Sequence, residues 1–185
     1  MITSFISMEK MKILVHVCCG PCSTSSIERL LEEGYEPLLF FSDSNIFPNE
    51  EFEKRYSSLL LVAQHYGLEV IKDEWNHDQW LEWVKGHEGD REHGERCTLC
   101  FRFNLLRTAR KAKELGIPLF CTTLTVSRFK NSKVIFSQGS DLEGFTEIDF
   151  KKKNGFTRSI ELSKELGLYR QDYCGCEFSL RDRNA

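Results

Sequence analysis

The sequence predicts an α/β fold: a Rossmann-like parallel sheet of the HUP or PP-loop-like kind, sandwiched by helices, with a helical C-terminal half contributing metal ligands. Three observations predict it. Short apolar runs of strand type alternate with longer segments that carry apolar residues at helical spacing. The first run ends in a cysteine-rich turn, the place where an open parallel sheet presents its ligand site. Seven of the eight cysteines fall in three tight groups, Cys18, Cys19 and Cys22, then Cys97 and Cys100, then Cys174 and Cys176, so a fold must gather them from three remote segments.

Taken in order, Lys12 to Val17 (KILVHV) is a strand, and Ser23 to Glu33 is a helix with Ile27, Leu30 and Leu31 on one face and Gly34 as its stop. Pro37 to Phe41 is a second strand. It leads through Asp43, Asn45 and Pro48 into a helix from about Asn49 to Tyr66, ended by Gly67, and Leu68 to Ile71 is a third strand. Two such βαβ crossovers make the sheet parallel. A helix around His77 to Lys85 precedes the polar stretch Gly86 to Arg96, expected to be an exposed loop that delivers Cys97. Cys100 then opens a helix running to about Leu115, stopped by Gly116 and Pro118. Leu119 to Thr125 is a further strand, with short helices near Lys130 to Gln138 and Thr157 to Leu166. Residues 1–11 are expected to form a flexible extension and residues 12–185 a single domain, because a chain of this length with 41% hydrophobic content buries one core.

No apolar stretch approaches the roughly 18 residues that cross a bilayer, and Met1 to Lys10 lacks a basic start and a small-residue cleavage site. The expected setting is cytoplasmic, with no membrane partner. In that reducing compartment clustered cysteines bind metal or do redox chemistry rather than form structural disulfides.

Cys18, Cys19 and Cys22 sit at a strand-to-helix turn, where the helix N-terminus favours the thiolate, the form that ligates metal. Cys97-Thr98-Leu99-Cys100 is by itself ambiguous among zinc, iron-sulfur and redox roles. Gly175 lets the backbone bend so that Cys174 and Cys176 can face one centre. Seven thiols exceed the four that one tetrahedral zinc or one thiolate-held cluster requires, leaving up to three for a second metal, a persulfide or a redox pair. Soft sulfur ligands without a nearby second histidine favour iron-sulfur. His16 precedes the first cysteines on the strand, His65, His77, His87 and His93 read as surface histidines rather than ligands, and Cys121, inside a predicted strand, reads as core. The turn also lacks the second glycine and the aspartate of an ATP-binding Ser-Gly-Gly-x-Asp-Ser loop, and Pro21 removes a donor from it.

The net charge of -3 hides an asymmetry: residues 1–95 carry a net -10 and residues 96–185 a net +7. The basic half interleaves Arg102, Arg107, Arg110, Arg128, Lys130, Lys151, Lys152, Lys153 and Arg158 with Phe101, Phe103, Phe129, Phe150 and Phe156, a mixture that suits phosphate neutralisation with base stacking.

The string His16-Val17-Cys18-Cys19-Gly20-Pro21-Cys22-Ser23, the Cys97/Cys100 pair, Asp149 to Lys153, and Leu168-Tyr169-Arg170-Gln171-Asp172-Tyr173-Cys174-Gly175-Cys176 together resemble the QueH-type epoxyqueuosine reductases. The likeness runs from about Lys12 to Ser179. One segment departs from the family pattern: Ser42-Asp43-Ser44-Asn45-Ile46 stands where a Tyr-Asn-Pro-Asn-Ile type sequence is expected. The resemblance implies reduction of the epoxide of epoxyqueuosine to a cyclopentene in the anticodon loop of tRNA, the last step of queuosine formation. It implies a 4Fe-4S cluster beside a second, mononuclear iron, no cobalamin, and an external electron donor such as ferredoxin or flavodoxin. On that reading Cys97, Cys100 and Cys176 with one of the N-terminal trio hold the cluster. The other thiols, with a carboxylate from Asp43 or Asp149, hold the second iron, and Tyr173 is a candidate proton donor. Arg102, Lys130, Lys151, Lys152, Lys153 and Arg158 are the expected phosphate contacts to tRNA. Two other readings remain open on the residues: an iron-sulfur tRNA sulfur-transferase of PP-loop type, and a non-enzymatic zinc-stabilised RNA-binding module.

Overall fold

Met11–Val17 (β1) is the strand about which the sheet is assembled, in the computed structural model, which describes residues 10–184. It pairs in parallel on one side with Tyr35–Phe41 (β2), Met11 facing Tyr35 and Val17 facing Phe41. On its other side lies Leu119–Thr122 (β4), Ile13 facing Leu119. Val70–Lys72 (β3) adds to the far edge of β2, giving the parallel order β3-β2-β1-β4. The order reverses at β1, so the crevice beyond the carboxyl ends of β1 and β4 is where such a sheet opens a ligand site.

The alternation along β1 makes the sandwich. Ile13, Val15 and Val17 pack against Ile27 and Leu30 of α1 (Gly20–Glu32) and Phe52, Leu59 and Val62 of α2 (Asn49–Tyr66). Leu14 points the other way, to Phe101 and Leu105 of α4 (Glu95–Glu114) and Ile135 of α5 (Ser132–Gly139). A strand covered on both faces needs apolar residues at nearly every position, as KILVHV supplies. The remaining helices are α3 (His77–Trp83), α6 (Gly155–Glu165) and α7 (Glu177–Asn184). At about 1.5–3 kcal/mol per large side chain fully buried, this core holds the fold without cross-links, and all eight cysteines are free thiols.

Several boundaries differ from the sequence expectation. Helix α1 starts at Gly20, three residues early, because Cys19 caps it; a Cβ on Gly20 would stand 2.6 Å from Ser58 Oγ, so glycine is what lets α1 approach α2. Helix α4 starts at Glu95, so Cys97 lies in its first turn and not in the loop. The buried Arg96 organises that loop by donating to the carbonyls of His87, Glu88 and Asp90. Strand β4 stops at Thr122, whose hydroxyl accepts the Leu124 N–H at 3.2 Å and coils Thr123–Val126 into a 3-10 turn. Helix α7 carries no clear apolar stripe and was not expected. The expected flexible extension falls on residues 1–9 outside the described residues, and Met11 already belongs to β1.

Candidate metal centre

The β1–α1 turn builds the first group of thiols. Cys19 is the N-cap of α1, its sulfur accepting the Cys22 N–H at 3.4 Å, and the one-turn spacing brings Cys22 back beside it. Cys18 Sγ lies 3.9 Å from Cys19 Sγ, and all three sulfurs lie within 4.8 Å of one another. Gln171, from the far end of the chain, donates to Cys19 Sγ at 3.0 Å. Burial opposes ionisation of Cys19, but hydrogen bonds from the Cys18 and Cys22 thiols, the Arg55 charge and the Cys22 N–H outweigh it and hold its pKa well below the ordinary thiol value. Cys18 is pushed up by the same hydrogen bonds to Cys19 and Cys22, then by burial.

The second group comes from two elements. Cys97 and Cys100 stand in the first turns of α4, and Cys174 and Cys176 lie in the segment just before α7. Gly175 adopts φ +149°, a conformation closed to other residues, and a Cβ there would meet Ile46, Arg55 and Asn45 atoms at 3.2–3.3 Å. The buried Arg55 of α2 clamps this segment: its guanidinium donates to Cys174 O at 2.9 Å and Tyr173 O at 3.3 Å, while Nε pairs with Glu51 at 2.7 Å. Burial, then repulsion from Cys174, pushes the Cys176 thiol up to about 11, and the same causes push Cys100 well above the ordinary value.

Both groups open on one place. A cavity of about 420 Å³ is lined by Cys18 and Cys22 on one side and Cys100 and Cys174 on the other, with Asp43, Asn104, Lys130 and Gln171 between. A side chamber of about 20 Å³ continues from it between Cys97, Cys100, Cys174 and Cys176. Lys130 borders both. Burial alone would lower its pKa, but the surrounding thiol groups raise it, so the ammonium persists. Three cavity-lining residues each carry one fully buried oxygen without a hydrogen-bond partner among the described residues: Asp43 Oδ2, Asn104 Oδ1 and Gln171 Oε1. His16 fixes Asp43 from behind, its Nε2 3.5 Å from Oδ1 while Nδ1 meets Thr122 Oγ1 at 2.8 Å.

A family model described as epoxyqueuosine reductase QueH matches residues 13–182. The chain belongs to the QueH family. Proteins named epoxyqueuosine reductase QueH include one from Streptococcus pyogenes, 36% identical over 180 residues that cover 91% of this chain and 70% of that protein. One from Acinetobacter baylyi is 37% identical, covering 94% and 82%, and one from Thermotoga maritima is 37% identical, covering 92% and 91%. Among the described residues of this QueH chain no helix is long and apolar enough to cross a membrane.

The remaining residues singled out in the sequence scatter. Tyr173 borders the cavity but donates its hydroxyl to Phe47 O at 2.5 Å, and burial pushes it to about 12. Asp149 does not border the cavity; it accepts from Ser132 Oγ at 3.0 Å and the Lys151 N–H at 3.3 Å in a turn. Arg102 is paired with Asp141, Arg158 with Glu28, Glu161 and Glu165, and Lys153 with Glu33. Lys151 donates to the carbonyls of Ser127 and Lys130, which leaves Lys152 exposed without an ion-pair partner among the described residues. Of the five interleaved phenylalanines, Phe103 and Phe150 are core, Phe101 is buried at the cavity wall, and Phe129 and Phe156 border the cavity from less buried positions. Sequence reasoning missed Arg55 and Asn104. The Glu51–Arg55 spacing of four reads as a solvated helix pair, and nothing local marks Asn104 as buried.

Proposed function

We propose that the protein reduces epoxyqueuosine in tRNA to queuosine in the cytoplasm, using a 4Fe-4S cluster and a neighbouring iron without cobalamin. The observation that carries this reading is that thiols from three remote segments border one cavity and its side chamber, Cys18 and Cys22 with Cys100 and Cys174 at the cavity and Cys97 and Cys176 at the chamber, with Asp43 beside them. The names of the relatives at 36–37% identity support the substrate.

The donor sets fit the two metals. On a single tetrahedral ion with metal–sulfur bonds of about 2.3 Å, thiolates stand roughly 3.8 Å apart, and the trio's mutual spacing within 4.8 Å is close to that. We therefore assign Cys18, Cys19 and Cys22, with Asp43 Oδ2 as a harder oxygen donor, to the mononuclear iron. Cys97, Cys100, Cys174 and Cys176 supply the four thiolates that a cluster needs. This partition differs from the one expected from sequence, in which one of the trio completes the cluster, and it leaves Asp149 without a ligand role.

Converting the epoxide to the alkene breaks both of its carbon–oxygen bonds, releases the oxygen as water and consumes two electrons and two protons. Electrons come from an external donor such as ferredoxin or flavodoxin. When bound, the iron supplies Lewis acidity for the epoxide oxygen and the cluster supplies electrons one at a time. The chain supplies the rest. Lys130 Nζ holds a proton between the two thiol groups, where the departing oxygen needs one. Asn104 and Gln171 line the polar wall against which the cyclopentane ring and its hydroxyls lie. Tyr173, whose proton is committed to Phe47 O, shapes the wall.

The test is anaerobic. Purified protein is given epoxyqueuosine-bearing tRNA and dithionite, and the digested nucleosides are weighed by mass spectrometry. Loss of one oxygen, with protein-bound iron and sulfide, is the expected result. A colourless protein with one zinc and no turnover overturns the reading in favour of a zinc-stabilised module.

A further inference from the structure

We propose that the turn from Ser127 to Lys130 is a stacking platform on which Phe129, backed by Arg128, takes the flipped-out base that carries the epoxide, while its substituent enters the cavity. This deepens, and rests on, the reductase reading above. Phe129 is 61% exposed, the most exposed large hydrophobic side chain among the described residues, and it stands at the border of the thiol cavity. The Arg128 guanidinium lies 4.8 Å from its ring centroid and 5.3 Å from that of Phe156, which borders the same cavity. A cation resting against two rings braces them and adds positive charge beside an apolar face, the combination that suits a base with its phosphate.

The turn is held ready. Ser127 Oγ accepts the Phe129 N–H at 3.3 Å, Ser127 O accepts the Lys130 N–H at 3.2 Å, and Lys151 Nζ ties the Ser127 and Lys130 carbonyls at 3.4 and 2.6 Å. Ordering cost is thereby met before a ligand arrives. Phe129 and Lys130 are chain neighbours with opposite destinations, one at the surface and one among the thiols. A planar base at the mouth with a polar substituent directed inward meets both at once. Bases in a single-stranded loop can be splayed outward to do this.

A double-mutant cycle tests the platform. Binding of an anticodon stem-loop RNA is compared with that of the same RNA made abasic at the position that carries the modification, for wild type, Phe129→Ala and Phe129→Trp. Alanine should weaken binding to the complete loop about 5- to 100-fold, leave the salt slope unchanged and have no effect on the abasic loop; tryptophan should retain affinity. Equal weakening on both RNAs, or none, overturns the platform, as does loss of affinity by a Phe129→Trp protein that melts like wild type. Reductase turnover by wild type separates the levels. With turnover intact, a failed cycle discards the platform alone; without turnover, the reading beneath it falls and the platform with it.

Discussion

The N-terminal cysteine trio and the C-terminal Cys174–Cys176 segment reach the same cavity by opposite means. The trio is placed locally: β1 ends, α1 begins, and capping geometry brings three sulfurs together within five residues. The C-terminal pair belongs to no strand or helix. It is placed from outside by the Arg55 guanidinium, by the Phe47 N–H donating to Gly175 O at 2.8 Å, and by Ser179 Oγ accepting the Cys174 N–H at 3.1 Å. A thiol can thus be aimed by secondary structure or by a buried cation. The second way depends on a residue far away in sequence.

The most drastic way to break this contrast is to remove one thiol from each group. Cys19→Ser should abolish turnover and lower iron by about one per chain while leaving sulfide and the visible cluster absorbance in place. Cys100→Ser should abolish turnover too but remove the sulfide and most of the iron. Iron and sulfide analysis with absorption spectra checks both; parallel loss of all metal in Cys19→Ser would return one of the trio to the cluster.

Next in size is the clamp. Arg55→Leu leaves the buried Glu51 with the Tyr169 hydroxyl but no cation and frees the Cys174 and Tyr173 carbonyls, so it should lower unfolding free energy by about 3 kcal/mol and deplete the cluster more than the trio's iron. Arg55→Lys should recover only part, because an ammonium cannot serve Glu51 and two carbonyls in one plane. Chemical denaturation and iron content read this out. A local feature such as Asn76, which caps α3 through its side chain, should cost only about 1 kcal/mol when changed to alanine.

That contrast also sets what the sequence could disclose. KILVHV, the helical spacing of Ile27, Leu30 and Leu31, and the turn of three cysteines are short-range patterns, so the sheet, its flanking helices and the trio's place at the switch point were legible. Gly175 was legible too, because glycine between two ligands has a backbone meaning. Arg55 was not, since a charge at helical spacing from Glu51 looks the same whether solvated or buried. Cationic residues misled for the same reason. Arg102, Lys153 and Arg158 are expected at phosphates by composition, yet in the fold each faces a carboxylate supplied by another element. Asp149, in a basic, motif-like stretch, caps a turn.

Two thiols, Cys176 of the second group and Cys19 of the first, should also differ in pH response once stripped of metal. Cys176 has a folded pKa of about 11 against an ordinary 9.0, raised by burial and then by Cys174. Its contribution to stability is therefore fully present below pH 9 and lost as pH rises toward 11, on the order of 1–2 kcal/mol. Cys19, depressed in the fold, acts in the opposite sense: its contribution is present above the ordinary thiol value and lost as pH falls through its lowered one. Melting temperatures of chelator-treated protein should decline from pH 9 to 11, and Cys176→Ala should flatten that decline while Cys19→Ala does not.

The smallest effect sharpens the contrast on the basic face. Lys152 is exposed and has no carboxylate partner among the described residues, whereas Arg158 has three carboxylates within 4 Å. A phosphate must displace those carboxylates to reach Arg158 but meets Lys152 free. Lys152→Ala should therefore reduce the slope of log affinity for tRNA against log salt by about 1, with a few-fold loss of affinity near physiological salt. Arg158→Ala should leave that slope nearly unchanged and alter stability little, its ion pairs being exposed to solvent. If the two variants exchange these behaviours, the ion pairs of Arg158 give way to RNA and the composition-based expectation regains its ground.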